Sequence, residues 1–353
     1  AWFRIGGFGK KTLVTPAPAV GRWTHHHNVE DHGFDGKRTR AGRMSLNKYI
    51  WPVIGLAAVV FSIWLLYREL RGLSLDDMIA SFRAIPLHNW LLSGAATLLA
   101  YAALAGYDRI ALLHLRRKVP WLFITLASFT TYALSHNVGA SVLSGAVVRY
   151  RAYTSRGLTG QEVGVLVAFC SFTFMLGTVL LGGVVLVFEP TIVERFVDVL
   201  PLDASRTTGF VLLALVSLYV IGSMLGFRTL SLGKLELSYP RPPVVVQQLV
   251  IGPLELLAAA GIIYFALPEA GNPGYFVVLG IFLVSFSAAL VSHAPGGLGV
   301  LELVFITGLP DMDQADVLAA LVVFRLFYLL IPFVIALIVI LLFERSQFAV
   351  EEQ

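Results

Sequence analysis

Residues 292–302 of the 353-residue chain read SHAPGGLGVLE, an island of helix breakers, one histidine and one carboxylate inside an otherwise apolar region. Proline lacks a backbone N–H, and glycine leaves its backbone exposed. At membrane depth such a break is stable only where protein or a water-filled cavity satisfies the freed backbone groups. The stretch therefore predicts an interrupted membrane helix at which a polar site is built.

A weaker copy of this stretch lies upstream, where residues 135–141 read SHNVGAS. The histidines of the two stretches, His136 and His293, are 157 residues apart. When residues 126–139 are placed on residues 283–296, six of the fourteen positions are identical. Membrane segments share a small alphabet of residues, so these matches suggest an internal repeat without establishing it.

The composition is that of a multi-pass membrane protein. Hydrophobic residues make up 57% of the chain and charged residues 14%, which is too apolar for the surface of an ordinary soluble domain. The single cysteine, Cys170, lies in an apolar run, which argues against disulfides, thiolate metal sites and iron–sulfur clusters. The basic residues form no stripe, so no nucleic-acid partner is expected. We expect neither a metal nor a cofactor.

Residues 1–47 differ from the rest of the chain. They are rich in Gly, Arg, Lys and His, show no sustained periodicity and lack the apolar core of a signal peptide. We expect this segment to be disordered, so its histidines are weak candidates for metal ligands. Met44 is an equally good natural start, which would make the preceding residues an artefact of the start site.

Eight apolar segments follow, and most have about the 20 residues needed to cross about 30 Å of hydrocarbon. They lie at residues 48–67, 89–107, 121–148, 162–188, 207–227, 244–267, 275–309 and 317–343. The segments 121–148 and 275–309 contain the two breaks.

The first broken segment, residues 121–148, is interrupted at His136, Asn137 and Gly139. The arm before this break, residues 121–134, would reach only about 21 Å at about 1.5 Å per residue. This arm cannot cross the membrane alone, so we expect the segment to enter the membrane and return.

The charges of the loops predict that the two broken segments enter from opposite faces. Lys and Arg flank the first at both ends, whereas acidic residues flank the second. Positive residues concentrate in cytoplasmic loops. With both segments drawn as re-entrant, the cytoplasmic loops between spans hold ten Lys or Arg against five in the external loops. The alternative is that residues 275–294 cross fully and residues 300–309 lie at the interface.

These patterns predict an all-α integral membrane protein with two inverted repeats, about six full spans and two re-entrant helical hairpins. The transmembrane domain covers residues 48–343, with repeat halves at about 48–188 and 207–343. Residues 344–353 form a short tail, and both termini are expected in the cytoplasm. Inverted repeats whose broken helices meet near the midplane are the architecture of secondary transporters.

Charged residues at membrane depth are energetically costly and point to function. Arg325 lies deep in the last span, and Glu302 is the nearest carboxylate in sequence. The two form either a buried ion pair that fixes the second hairpin to the last helix, or a site where Arg325 faces a cavity and binds the phosphate or carboxylate of a headgroup. Glu255, which follows Pro253 in another span, allows both a helix-pairing and a functional interpretation.

The two histidines and one arginine are further candidates for lipid contact. His136 and His293 each follow a serine at a predicted turn, where capping is one role and a proton relay or headgroup contact is the other. Arg149 follows the first hairpin. It is either an ordinary positive-inside residue or a group that attracts anionic lipid to the mouth of a cavity.

The glycine run itself is a candidate anion site. Pro295, Gly296, Gly297 and Gly299 would leave backbone N–H groups free at the start of a helix. The run does not match a nucleotide-binding phosphate loop, because the lysine and the hydroxyl residue of that motif are missing and no strand precedes it. We therefore expect it to contact a lipid headgroup rather than a nucleotide.

Three motifs together resemble the lysylphosphatidylglycerol synthase transmembrane region, and the similarity covers about residues 48–343. They are PGGLGVLE at residues 295–302, FRLFYLLIP at residues 324–332 and GAVVR at residues 145–149. That region is the flippase half of the bacterial MprF proteins and also occurs alone in YbhN-like membrane proteins. In the two-part enzymes a further domain attaches an amino acid to phosphatidylglycerol. Only ten residues follow residue 343 here, so we do not expect that activity.

The resemblance implies a protein that translocates a lipid across the bacterial inner membrane, and three functions are open. The first is a flippase for an anionic or aminoacylated phospholipid. The second is a non-catalytic membrane partner of a separate lipid-modifying enzyme. The third is an intramembrane enzyme that uses His136, His293 and Glu302 as acid and base, although no carboxylate pair, metal-ligand spacing or activated nucleophile supports it. A homo-oligomer is compatible with all three.

Overall fold

The computed structural model describes residues 75–138, 141–196, 206–226, 230–232, 235–237, 239–292 and 295–351. The segment predicted to be disordered (residues 1–47), the first predicted span (residues 48–67) and His293 lie outside these residues.

The described chain is helical apart from one short hairpin. Its first part contains α1 (Leu75–Ala84), α2 (Leu87–His114), α3 (Trp121–Val138), α4 (Ser141–Thr154) and α5 (Gly160–Phe188), followed by a 3₁₀ helix at Pro190–Phe196. Its second part contains α6 (Arg206–Met224), α7 (Pro242–Ala266), α8 (Tyr275–Ser292), a 3₁₀ turn at Pro295–Gly297, α9 (Val300–Gly308), α10 (Gln314–Phe324), a π-helical turn at Arg325–Leu330 and α11 (Ile331–Glu351).

The short hairpin lies between α6 and α7 and was not predicted. Its strands are β1 (Leu230–Leu232) and β2 (Leu235–Leu237), which pair antiparallel with Leu230 opposite Leu237. Each strand has three residues, so the hairpin is a local feature of the connection rather than a layer of the fold.

Five helices of the described chain are long and apolar enough to cross a membrane. They are α2, α5, α6, α7 and the continuous helix Gln314–Leu342, which α10, the π-helical turn and most of α11 form together. These helices confirm, by length and composition, the spans predicted from residue 89 onward.

The starts of these helices follow signals in the sequence. The Thr159 hydroxyl accepts a hydrogen bond from the Glu162 N–H at 3.3 Å, while Glu162 Oε2 accepts from the Thr159 N–H at 2.8 Å. This capping box satisfies two N–H groups at the start of α5. Asp313 caps α10 by accepting from the Ala315 N–H at 2.8 Å. Helix α7 begins with Pro242. Proline is well suited to this position, because the N–H of the first helical residue makes no intrahelical hydrogen bond in any case.

The predicted break at His136 is placed too early. Helix α3 continues to Val138, so His136 and Asn137 lie in its last turn, and the next described helix begins at Ser141. Asn137 stays helical because its side-chain amide donates to the Ala133 carbonyl at 2.8 Å and to the Leu329 carbonyl at 3.1 Å. The first arm therefore has 18 residues, about 27 Å at about 1.5 Å per residue, rather than the predicted 21 Å.

Helices α2 and α7 pack along each other at the centre of the described chain, and α5 packs against both. The contact between α5 and α7 is close because two glycines meet. A Cβ on Gly177 would lie 2.6 Å from the backbone carbonyl carbon of Gly252. No larger residue fits at this crossing without separating the helices. Cys170, on the same helix as Gly177, is buried as expected.

Two series of helices share one order: α2, the pair α3–α4 and α5, then α7, the pair α8–α9 and α10–α11. In each series the first helix contacts the first arm of the pair, and the two arms contact each other. This is the order that the offset of 157 residues predicts. The inversion of one series relative to the other across a membrane stays a prediction.

Candidate functional site

The first cluster of charges lies where the glycine run meets the last long helix. Arg325 Nε donates to Glu302 Oε1 at 3.0 Å, and Nη2 of the same guanidinium donates to the same oxygen. Arg325 Nη1 donates to the Gly296 carbonyl at 3.0 Å, and the Gly299 N–H donates to Glu302 Oε2 at 2.9 Å. Both charged residues are 5% exposed. Of the two arrangements that the sequence allows for Arg325 and Glu302, the structure shows the buried ion pair. We call Gly296, Gly299, Glu302 and Arg325 the turn cluster.

The backbone of the glycine run requires glycine. Gly296, Gly297 and Gly299 have φ angles of 59°, 65° and 77°, a region that a Cβ disfavours by about 1–2 kcal/mol. A Cβ on Gly297 would also lie 2.2 Å from Leu301 Cδ1. One detail of the predicted anion site is wrong, because the Gly299 N–H is already occupied by the chain's own carboxylate, Glu302. A ligand anion therefore does not take that position. Pro295 opens the 3₁₀ turn before these glycines.

A second buried cluster joins α2 to α4, and we did not predict it. Arg149 donates to Asp108 through Nη2 at 2.7 Å and through Nε at 3.2 Å, both to Oδ1. The Tyr153 hydroxyl donates to Asp108 Oδ2 at 2.7 Å, and the Cys170 thiol lies 3.4 Å from Oδ1. The Arg149 guanidinium also lies 4.7 Å from the centre of the Tyr132 ring, which adds a cation–π contact. We call Asp108, Arg149, Tyr153 and Cys170 the cavity cluster.

Arg149 is therefore not the exposed loop residue that the positive-inside interpretation described. It is 5% exposed and lies inside α4, and Asp108 is fully buried. A buried guanidinium is stable only with a carboxylate beside it. The sequence offered one signal for the partner. Asp108 directly follows the predicted span 89–107 and is itself followed by the apolar residues 110–113, which add about one more helical turn.

Glu255 is a third buried charge, and its environment differs from that of Asp108. It is 2% exposed and lies in α7. Oε1 accepts a hydrogen bond from the Tyr328 hydroxyl, whereas Oε2 has no partner among the described residues. Tyr328 is held in turn by Tyr101, whose hydroxyl donates to the Tyr328 carbonyl at 2.9 Å. No arginine, lysine or histidine within the described chain forms an ion pair with this carboxylate.

His136 lies beside the same tyrosine. Its ring stacks on the Tyr328 ring with 5.1 Å between centroids and an interplanar angle of 21°. Its Nδ1 is buried and has no hydrogen-bond partner in the part of the chain that the structure describes. The capping role expected for His136 is therefore not seen at Nδ1.

One cavity of about 120 Å³ brings three of these groups together. His136, Arg149 and Glu255 all line it. The other lining residues are Leu104, Tyr132, Ser135, Val167, Cys170, Ser171, Phe174, Phe286 and Leu290. The turn cluster does not line this cavity. The structure thus separates the predicted site residues into two places: His136 and Arg149 at the cavity, and Gly296, Gly299, Glu302 and Arg325 at the turn.

The two places are connected through one short helical segment. The π-helical turn Arg325–Leu330 carries Arg325 of the turn cluster at its start, and Tyr328 three residues later donates to Glu255. Leu329 of the same turn offers its carbonyl to Asn137 of α3. A movement of this segment would therefore alter its hydrogen bonds to the glycine run, to Glu255 and to the end of α3.

Comparison with known proteins gives a family. A sequence model of the lysylphosphatidylglycerol synthase TM region matches residues 53–336. An uncharacterized protein of Synechocystis sp., slr0712, is 31% identical over 293 residues, which are 81% of this chain and 89% of that protein. The inner membrane protein YbhN of Escherichia coli is 31% identical over 254 residues, 70% of this chain and 77% of YbhN.

A longer protein is also similar. The phosphatidylglycerol lysyltransferase of Staphylococcus haemolyticus is 25% identical over 302 residues. These residues are 84% of this chain but only 34% of the lysyltransferase. The similarity is therefore confined to about a third of that enzyme.

Proposed function

The chain belongs to the lysylphosphatidylglycerol synthase transmembrane family, and from that membership we propose that it moves a phospholipid between the leaflets of the bacterial inner membrane. It is a membrane protein, as its family and the five long apolar helices among its described residues indicate. The transported lipid is an anionic or aminoacylated phospholipid, and its headgroup passes through the cavity lined by His136, Arg149 and Glu255.

The observation that carries the proposal is a cavity lined by Arg149 and Glu255, between helices that expose many large apolar side chains. Burying a charged side chain away from water costs several kcal/mol unless it is paired, and charged groups at membrane depth are therefore functional candidates. Glu255 has no ion-pair partner among the described residues. Arg149 is held in place by Asp108, so its guanidinium is oriented before any ligand arrives. A guanidinium is well suited to a phosphate, because its planar set of N–H donors matches two phosphate oxygens.

The architecture that we propose around this cavity is an inverted repeat with two re-entrant hairpins. The paired arms α3–α4 and α8–α9 support it, as does the shared order of the helices before and after them. The charges of the loops further favour opposite orientations and cytoplasmic termini. In this arrangement the broken segments meet near the midplane, where secondary transporters bind their substrates.

Reconstitution tests the function directly. The purified protein is placed in liposomes that contain fluorescent phosphatidylglycerol in both leaflets, and the probe of the outer leaflet is chemically reduced. We expect rapid loss of nearly all fluorescence, because inner-leaflet probe reaches the outside, whereas liposomes with an unrelated helical membrane protein should stop at about half. Fluorescence that stops at half with this protein would contradict the proposal.

The same experiment separates the alternative functions. The lipids are extracted afterwards, and their masses are measured. Leaflet exchange without a change of lipid mass supports a transporter. A new lipid mass would indicate an intramembrane enzyme. The absence of both would favour a non-catalytic partner of a separate lipid-modifying enzyme, a function that the partial match to the lysyltransferase also suggests.

A further inference from the structure

Two titratable residues that line the cavity each carry one buried atom without a hydrogen-bond partner among the described residues. Within the described residues, three buried side-chain atoms are unsatisfied: Thr130 Oγ1, His136 Nδ1 and Glu255 Oε2. The two that titrate, on His136 and Glu255, both belong to residues that line the same cavity. An unsatisfied buried polar atom lowers the stability of the folded protein by about 1–3 kcal/mol. Two such atoms on residues of one cavity therefore point to a role in function.

The contrast with Asp108 shows what Glu255 lacks. The oxygens of Asp108 receive the Arg149 guanidinium, the Tyr153 hydroxyl and the Cys170 thiol. Glu255 receives one neutral hydroxyl, from Tyr328. Tyr107 lies beside Glu255, but its hydroxyl donates its only hydrogen to the Gly252 carbonyl at 3.0 Å. The Tyr107 oxygen can then accept a hydrogen bond from Glu255 but cannot donate one.

The surroundings of Glu255 therefore suit a carboxylic acid as well as a carboxylate. A proton on Oε2 would give this oxygen a donor and would remove an uncompensated buried charge. The titratable and charged groups that face Glu255 or share its cavity come from five packed elements. They are Tyr101 and Tyr107 of α2, Tyr132 and His136 of α3, Arg149 of α4, Cys170 of α5 and Tyr328 of the π-helical turn. The one cation among them, Arg149, is already neutralised by Asp108.

We propose that Glu255 takes up one proton from the cavity and releases it again in each transport cycle, so that movement of the lipid headgroup is coupled to movement of a proton. This inference rests on the proposed function and names the ion that drives it. The proton forms an O–H bond at Glu255 Oε2 on uptake, and that bond breaks on release. His136 Nδ1, on the wall of the same cavity, is the second acceptor through which the proton reaches Glu255.

The coupling between proton binding and headgroup binding follows from the net charge of the cavity. With Glu255 ionised, the cavity and its Asp108–Arg149 pair carry a net charge of about −1, and a phosphate that enters is repelled. With Glu255 protonated, the net charge is about zero, and the phosphate meets the oriented guanidinium of Arg149. A headgroup phosphate and a proton therefore bind together more strongly than either binds alone. Linkage makes this preference reciprocal.

Infrared spectroscopy tests proton binding without any transport. Difference spectra of the reconstituted protein are recorded between about pH 5 and pH 8. We expect a protonated-carboxyl C=O band that disappears as the pH rises and is absent from Glu255→Gln. The matched control is Glu162→Gln, which alters a partly exposed carboxylate paired with Arg117 and should keep the band. If the wild-type protein and Glu255→Gln give identical difference spectra, the proposal is wrong.

Leaflet exchange then tests the coupling. We expect exchange of fluorescent phosphatidylglycerol by the wild-type protein to quicken as the pH falls, by up to about tenfold per pH unit, because one proton assists each headgroup. Glu255→Gln, a neutral residue of the same shape, should exchange lipid at a rate that changes less than about twofold over this range. Glu162→Gln should behave as the wild type.

The outcomes distinguish this inference from the function on which it rests. Exchange that is equally pH-dependent in Glu255→Gln would overturn proton coupling through Glu255 and leave the transporter standing. A Glu255 band that titrates in a protein that exchanges no lipid would overturn the transporter and leave the proton site standing.

Discussion

The turn cluster and the cavity cluster contain the same chemistry and use it differently. In each, a buried arginine donates at least two hydrogen bonds to a buried carboxylate. In the turn cluster the remaining hydrogen bonds go to the backbone of the glycine run, at the Gly296 carbonyl and the Gly299 N–H. In the cavity cluster they come from side chains, and the arginine faces an open space. The contrast suits the two roles proposed here, a structural one for the turn cluster and a headgroup-orienting one for the cavity cluster.

Removing one partner of the turn cluster should have the largest effect. Arg325→Ala leaves Glu302 charged, buried and uncompensated, and frees the Gly296 carbonyl, so we expect a loss of about 3–5 kcal/mol in folding stability. Membrane abundance and resistance to unfolding in detergent measure it. Arg117→Ala removes an exposed pair with Glu162 and should cost at most about 1 kcal/mol. Equal stability of the two variants would contradict the assignment of the turn cluster to structure.

Bulk in the glycine run should have the next largest effect. Gly297→Leu forces a Cβ into a positive φ and against Leu301, and we expect it to cost about 2–4 kcal/mol and to abolish lipid exchange. Gly164→Leu is the matched control, because a Cβ there meets nothing within 4 Å. A Gly297→Leu protein of normal abundance that exchanges lipid at the wild-type rate would show that the turn tolerates bulk and that the comparison overstates its rigidity.

Removing both charges of a pair at once should distinguish the roles of the two clusters most clearly. Asp108→Asn with Arg149→Gln removes both charges together and leaves no uncompensated buried charge. We therefore expect near-normal abundance and a fall of about 10- to 100-fold in lipid exchange, because the charge offered to the headgroup is lost. The corresponding double change, Glu302→Gln with Arg325→Gln, should lower abundance, because the glycine run depends on the pair for its shape. If the cavity-cluster double variant lost abundance and the turn-cluster double variant kept it, the roles assigned to the two clusters would be wrong.

The smallest effect concerns the second donor to Asp108. Tyr153→Phe removes one buried hydrogen bond to a carboxylate that keeps Arg149, and we expect a loss of about 1 kcal/mol in stability. Lipid exchange should fall less than in the double variant. Tyr150→Phe, at an exposed position of the same helix, is the control and should change neither property.

The sequence predicted the long helices and the pairing at the turn more reliably than the cavity. Hydropathy located the spans because about 20 consecutive apolar residues are a strong signal. The sequence places Arg325 and Glu302 in one polar centre, because each would otherwise be an isolated charge among apolar residues, and it leaves the ion pair and a headgroup site as alternatives. The same argument failed for Arg149, because it follows a break and resembles a residue of a cytoplasmic loop.

The cavity could not be predicted because its residues come from helices far apart in sequence. The sequence does not predict the buried position of Asp108, because α2 continues to His114, seven residues beyond the predicted end of that span, and Asp108 therefore lies inside the helix rather than in a loop. Glu255 was noticed, but its neighbours Tyr328 and His136 lie in other segments. They come together because α3 and the π-helical turn pack against α2, which itself packs along α7. Periodicity reports which face of a helix is apolar, not which helix that face meets.

The π-helical turn at Arg325–Leu330 also sets the rotation of the last helix. A π-helical turn contains one residue more than an α-helical turn, and one residue corresponds to about 100° around an α-helix. Everything after Leu330 is therefore rotated by about 100° from the direction that α10 would have given it. The face of α11 that packs against α3 is chosen by this one additional residue. Deleting a single residue from the turn would rewind it and carry that face away from α3, although every apolar residue of α11 would still be present.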